Sequence, residues 1–240
     1  MISFKTRTTA RSNVANAKKS LKLQREPSDP DRALILLGED NYPSAVPIIK
    51  TNGRWRFDTS KGKLEILARR IGSNELDAIG TCAAYVGAQY DYGSEDYNTN
   101  NVREYAQKLI SSPGTKNGLF WPASSDSSVS PIAARVTKAI AEGYTKTSDK
   151  PVPYHGYYFR ILRAQGSNAT GGARDYLVHG LMIGGFGLIA WPAEYDASGL
   201  KTFMVNQEGV IYEKDLGSGT AKIVPTVVQF NTDKTWHPLR

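Results

Sequence analysis

Apolar and polar positions trade places at two different periods along this chain. Residues 154–164, 183–191, 202–206 and 210–214 have the pattern of strands rich in aromatic and β-branched side chains. In the first, Tyr158 and Arg160 alternate against Phe159 and Ile161. The last two flank Gln207-Glu208-Gly209 and read as a hairpin. Residues 176–178 add a short strand. Upstream, 33–38 (ALILLG) reads as a buried strand, and AVPIIK-TNG-RWRFD as a second hairpin. Asn52-Gly53 accepts the positive φ angles that a tight hairpin turn requires. Pro47 confines its strand to an edge or a bulge.

Between these strand groups the period is helical. Residues 62–70 predict a short helix that Gly72 breaks. Ser73 then caps a helix over 74–92, with Leu76, Ile79, Ala83, Val86 and Tyr90 on one face. Gly80, Ala83 and Gly87 form a seam of small residues, which predicts close approach of another element. Val102, Tyr105, Ala106, Leu109 and Ile110 predict a further amphipathic helix, ended by Ser112-Pro113-Gly114. Ser130-Pro131 is a helix start, with Ile132, Val136 and Ile140 as its apolar face and Gly143 at its end. Residues 221–230 have helical spacing that Pro225 interrupts.

The elements predict an α+β fold, an antiparallel sheet packed on a long helix and preceded by a small β module. The domain reading is a basic flexible tail over 1–30, the β module over 31–60 and the α+β domain over 61–240. Charge supports the tail. Residues 1–25 hold seven Lys and Arg and no acid, while the remaining residues balance at 23 of each sign. Such a tail reads first as a solvated arm, and second as an arm for nucleic acid or anionic lipid. No matching basic stripe follows in the body, so nucleic acid is the weaker partner. No run of about eighteen apolar residues exists, so no membrane-spanning segment is predicted. The tail also lacks the apolar region of a signal peptide, which leaves either a cytoplasmic chain or a sequence that starts downstream of its export signal. Cys82 is the single cysteine, which excludes an internal disulfide. Its small neighbours Gly80, Thr81, Ala83 and Ala84 predict a buried filler.

Candidate chemistry is sparse. There is no GxSxG elbow and no phosphate-binding loop. MIGGFG lacks the βαβ surroundings of a dinucleotide site, and its glycines predict close packing of an aromatic residue from a neighbouring strand. DYNTNNVRE alternates oxygen-bearing side chains at Asp96, Asn98 and Asn100, with Asn101 suited to a left-handed turn. The Val102 carbonyl and Glu104 complete a candidate calcium shell, weak because it has two carboxylates. The competing reading is an Asn-rich turn. No other cofactor is implied. His155 and His179, with Asp175 or Glu194, make a candidate acid/histidine site if neighbouring strands bring them together. Structural histidines are the competing reading. His237 reads as exposed. Among the aromatic residues, Trp121, Tyr157, Tyr158, Trp191 and Tyr195 make a candidate binding face for a glycan, peptide or cell-wall polymer. Trp55, Tyr154 and Tyr212 belong to the same aromatic set.

The blocks NGRWRFDTSKG, ILARRIGSNELDAI, EYAQKLISSPGTKNGLFWP, YHGYYFRILRAQG and MIGGFGLIAWPAEYDASGLKTFMVNQEGVIYEKDLG resemble an uncharacterised bacterial family, domain of unknown function 2950. The similarity runs from about residue 33 onward. It implies an exported, periplasmic or extracellular protein and no established activity. The family's export signal and early helices find no counterpart in the basic start of this chain. The β module is similar to the end of a small nuclear-transport-factor-like domain. The order of a long helix, a short helix at EYAQKL and the strands GYYFRIL, FGLIAWP and FMVNQEGVIYEKD is similar to the globular part of type IV pilins and pseudopilins. Together these readings favour a non-enzymatic binding protein of the bacterial envelope, with an envelope protein or cell-wall polymer as partner. The alternatives are a hydrolase-like enzyme and a basic-tailed nucleic-acid binder.

Overall fold

The computed structural model describes residues 4–121, 130–131 and 153–239, with side chains from Ser12 onward. It is α+β, with mixed helix and antiparallel sheets, and it divides into two compact units, Met1–Arg70 and Ile71–Arg240.

The first unit begins with helix α1 (Phe4–Lys19) and strands β1 (Leu21–Glu26) and β2 (Asp29–Leu37). The flexible tail expected over 1–30 is therefore corrected. From Phe4 onward its residues form a helix and a full strand, because LKLQRE alternates apolar and polar side chains and pairs with β2 from Leu21↔Leu37 to Arg25↔Ala33. Ser20 joins the two elements, accepting the Gly38 amide at 2.9 Å. Strands β3 (Tyr42–Pro43), β4 (Ile48–Thr51) and β5 (Arg54–Phe57) complete a sheet in the order β1-β2-β4-β5, with β3 on β2. The β4–β5 turn is the one anticipated, with Asn52 and Gly53 at φ 53° and 76°. The β module thus starts well before residue 31.

Helix α2 (Thr59–Gly93) is continuous for 35 residues. The break expected at Gly72 does not occur. An interior glycine costs about 1 kcal/mol relative to alanine, too little to interrupt a helix held by packing on its other turns. Asp58 caps its start by accepting the Lys61 amide at 3.1 Å. Gly62 is required there, since a Cβ would lie 2.7 Å from the Val46 side chain.

In the second unit, β6 (Tyr157–Leu162), β11 (Gly187–Pro192), β12 (Lys201–Asn206), β13 (Tyr212–Asp215) and β14 (His237–Pro238) form an antiparallel sheet in the order β14-β13-β12-β11-β6. Two short pairs flank it: β7 (Ala164–Gln165) with β8 (Arg174–Asp175), and β9 (Leu177–Val178) with β10 (Leu181–Met182). Alternation along the strands builds two cores. Tyr157, Phe159, Leu188, Ala190, Phe203 and Val205 pack with Ala78, Cys82, Tyr85, Ala88 and Tyr92 of α2. On the other side Leu162, Ile189 and Met204 pack with Val224, Phe230 and Trp236. That second face is covered by helix α3 (Thr220–Ile223) and the residues after it, where a 3-10 turn absorbs Pro225 as the broken spacing predicts.

The buried stripe of α2 runs through Ala78, Cys82, Tyr85, Gln89 and Tyr92, rotated from the expected one. Leu76 faces solvent, Tyr90 is half-exposed with its ring edge-on to Phe186, and Ile79 and Val86 lie at the margin of the core. Gly80, Ala83 and Gly87 are exposed, and nothing lies within 4 Å of a Cβ built at either glycine, which corrects the expected contact seam. Residues 102–110 form no helix and, apart from a bridge at Ile110, no strand. Their backbone is claimed from outside: Tyr105 donates to Met182 O at 2.8 Å, and the Gln89 amide both accepts from Ala106 N–H and donates to Ala106 O. The short helix of the pilin-like order is thus absent. The helix start at Ser130-Pro131 leads into 132–143, outside the described residues.

Candidate functional site

The loop at 96–104 is built around two carboxylates that accept hydrogen bonds from the chain itself. Asp96 accepts the amides of Asn100 and Asn101, at 3.2 and 2.8 Å. Asn101 takes the left-handed conformation, φ 61°. Glu104 is buried, and its Oε1 accepts the Asn98 and Asn100 side-chain amides at 2.9 and 3.0 Å. Asn100 Oδ1 accepts Val102 N–H, which fixes its orientation with the NH₂ toward Glu104. A cation shell would need that donor pattern reversed. Among the described residues no three His, Cys, Asp or Glu converge as metal ligands. The geometry is that of a satisfied turn.

The acid/histidine candidates do not assemble. His155 and His179 occupy the same kind of position, the first residue of a two-residue hairpin turn followed by glycine. Their φ angles are 43° and 51°, with Gly156 and Gly180 at 78° and 83°. Histidine is among the few non-glycine residues that adopt this conformation readily. His155 stacks on Tyr154 at 4.1 Å between ring centroids. Its Nδ1 is hydrogen-bonded to Asp77 Oδ2 of α2, a partner the sequence pattern did not suggest. Glu194 lies at the same end of the sheet, since Ala193 N–H donates to Gly156 O. Asp175 pairs with Ala164, nine residues along the β6–β7 path from His155, roughly 30 Å at the rise of a strand. His179 follows Asp175 through β9 and is exposed. The four groups therefore separate into two pairs at opposite ends of β6. His237 is exposed on β14, as anticipated.

The aromatic candidates separate by strand alternation. Tyr157 is fully buried and donates its hydroxyl to Lys201 O at 2.8 Å, and burial first, then the Glu75 charge, pushes its pKa well up. Trp121 is buried beside Tyr97, with ring centroids 5.0 Å apart. These two are core residues and leave the expected binding face. Tyr158 and Trp191 are half-buried cross-strand partners, 5.7 Å apart between ring centroids. The Arg160 guanidinium lies 5.8 Å from the Trp191 centroid and donates to Val224 O and Val227 O at 2.8 and 2.5 Å. Burial lowers its pKa. Tyr195 is half-buried at the same end of the sheet, its hydroxyl 3.4 Å from Asp215 Oδ2.

The glycines of MIGGFG play the packing role expected of them. A Cβ at Gly185 would lie 2.8 Å from the Tyr176 ring, and one at Gly184 would lie 2.5 Å from Asp175 O. Cys82 is fully buried, and burial raises its thiol pKa to about 12. No helix among the described residues is long and apolar enough to cross a membrane.

Neither a curated protein nor a solved structure matches the chain. The family comparison does match, over residues 3–239 and hence across both units. The chain belongs to the family described as "Protein of unknown function (DUF2950)".

Proposed function

We propose that this chain is a non-enzymatic binding protein of the bacterial envelope, and that its second unit binds through Tyr158, Trp191 and Tyr195. The half-buried Tyr158–Trp191 pair with Arg160 against it carries this reading. Two rings and a guanidinium at one end of a rigid sheet offer stacking surface and hydrogen-bond donors at little entropic cost. That chemistry suits a sugar ring or an extended peptide of a cell-wall polymer. The placement in the envelope rests on the exported character of the family that the sequence resembles.

Calorimetric titration with soluble peptidoglycan fragments tests the proposal. Binding that weakens about tenfold in Trp191→Ala, the loss of one stacked ring, supports it. No binding to glycan or peptide fragments sinks it. One observation favours a hydrolase-like alternative, the His155–Asp77 pair. Release of cleaved fragments by the protein, abolished in His155→Gln, would replace the binding reading with that one.

A further inference from the structure

The two faces of the sheet in the first unit differ in what they meet. Gln24, Arg32 and Leu34 line a groove of about 670 Å³ together with Leu64, Ala68 and Arg69 of α2. The strand register puts Leu21, Leu23, Ile48, Trp55 and Phe57 on the other face, around Ala33, Ile35 and Leu37. Ala33 and Leu37 are buried there, yet the edge strands leave Leu21 54 %, Leu23 60 %, Trp55 41 % and Phe57 58 % exposed. A sheet face turned to water ordinarily carries polar residues at such positions. Four large apolar side chains on one face mark a surface that meets something else.

Charge indicates what that is. Residues 1–70 hold fifteen Lys and Arg against seven Asp and Glu, a net +8, while residues 71–240 hold fifteen against sixteen. Positive groups outnumber acids on and beside the apolar face, where Asp31 is the acid in phase with Ala33 on β2. Arg25 and Lys50 share its register, and Lys18 and Lys19 end α1 just before β1, while Arg54 and Arg56 alternate with Trp55 and Phe57 at the edge strand and start from the opposite face. The nearest acid on β1, Glu26, lies beyond the register shift that follows Arg25 and faces Arg32 at 3.7 Å.

We propose that this face docks on a bilayer surface containing anionic lipid. Leu21, Leu23, Trp55 and Phe57 enter the boundary between headgroups and acyl chains, and Arg25, Lys50, Lys18 and Lys19 hold the phosphate layer. Tryptophan beside a basic rim is the composition favoured at that depth. The two leucines separate this partner from single-stranded nucleic acid, whose bases stack on aromatic rings and gain nothing comparable from aliphatic tips.

The test is sedimentation of the full chain with phosphatidylglycerol–phosphatidylcholine vesicles and with phosphatidylcholine vesicles alone, across a salt series. The expected result is binding to the anionic vesicles only, weakened by salt. Trp55 is the most exposed of the four tryptophans, since Trp121 and Trp236 are buried and Trp191 half-buried. Emission should shift to the blue on binding, and Trp55→Phe should bind while losing that shift. Leu23→Ser with Phe57→Ser should cut partitioning at least about tenfold, the loss of two inserted apolar side chains, with an unchanged melting temperature because both sites are exposed. Three results would overturn the proposal: equal binding to neutral vesicles or none to either, a blue shift that survives Trp55→Phe, or single-stranded oligonucleotide binding or self-association that the same serine variants remove.

Discussion

At the scale of single residues, titration follows burial. Cys82 and Tyr176 both have pKa values raised to about 12, chiefly by burial, from 9.0 and 10.0. Folding favours the neutral form of each. The stability they contribute is therefore complete below their ordinary values and is lost as pH rises through about 12. Urea midpoints should stay level below pH 9.0 and fall from there to about pH 12. By the same logic the native thiol should resist iodoacetamide at neutral pH and react once the protein is unfolded. Glu104 makes a sharper case. Glu104 accepts at both oxygens, from Asn98 and Asn100 at Oε1 and from Met182 N–H at Oε2, so Glu104→Gln turns an amide NH₂ toward donors on one side or the other and should cost about 2 kcal/mol in denaturant unfolding. Calcium should leave the melting temperature of the natural sequence unchanged, because stabilisation by an ion requires preferential binding to the folded state and the loop already points donors at its buried acid. The buried state of Cys82 was legible from its small neighbours. Its relation to Tyr85 and Gln89 was not, because that depends on the rotational phase of α2. The turn role of His155 and His179 had a local signal, a residue tolerant of positive φ followed by glycine. The Asp77 contact had none, since 78 residues separate it from His155.

At the scale of elements, local turn chemistry is decisive where the chain reverses over two residues. Asn52-Gly53 specifies the β4–β5 hairpin by itself, because both residues tolerate the positive φ the turn imposes. Helices were harder to read. Residues 102–110 have helical apolar spacing, yet Glu104 and Ala106 point inward at a period of two, and the Gln89 side chain captures the backbone between α2 and the sheet. Spacing alone does not reveal a partner that claims the amides. The unbroken α2 shows the converse, a local breaker overridden by packing on either side. It also gives a stabilising change. A Cβ at Gly80 or Gly87 would meet nothing within 4 Å, so Gly80→Ala and Gly87→Ala should each raise stability by about 0.5–1 kcal/mol, seen as a higher melting temperature. A loss in either variant would show that the exposed seam has a partner in solution.

At the scale of the molecule, the two units differ in how much they bury. Ala33 and Leu37 are the buried hydrophobics described in the first unit, while the second has two clusters on either side of its main sheet. Amide hydrogen exchange should therefore be fastest in β1 and β5 and slowest in β11 and β12, which are paired on both sides. Comparable protection in both units would refute this reading. The division near Arg70 was not legible, because a continuous helix crosses it and no linker composition marks it. The basic character of the first unit was legible from the first 25 residues, but its assignment to a folded sheet was not.

The covering of the second sheet face has a consequence in time. Val224, Phe230 and Trp236 follow in sequence every strand residue they cover, and Arg160 waits for the carbonyls of Val224 and Val227. During synthesis, β6, β11 and β12 can pair and settle on α2 while Leu162, Ile189, Trp191 and Met204 are still open to water. The nascent chain thus passes through a stage with an adhesive sheet surface, the kind of species that chaperones hold. Stalling the ribosome once β12 has left the exit tunnel but residues 224–236 have not should trap that stage, and release should end it.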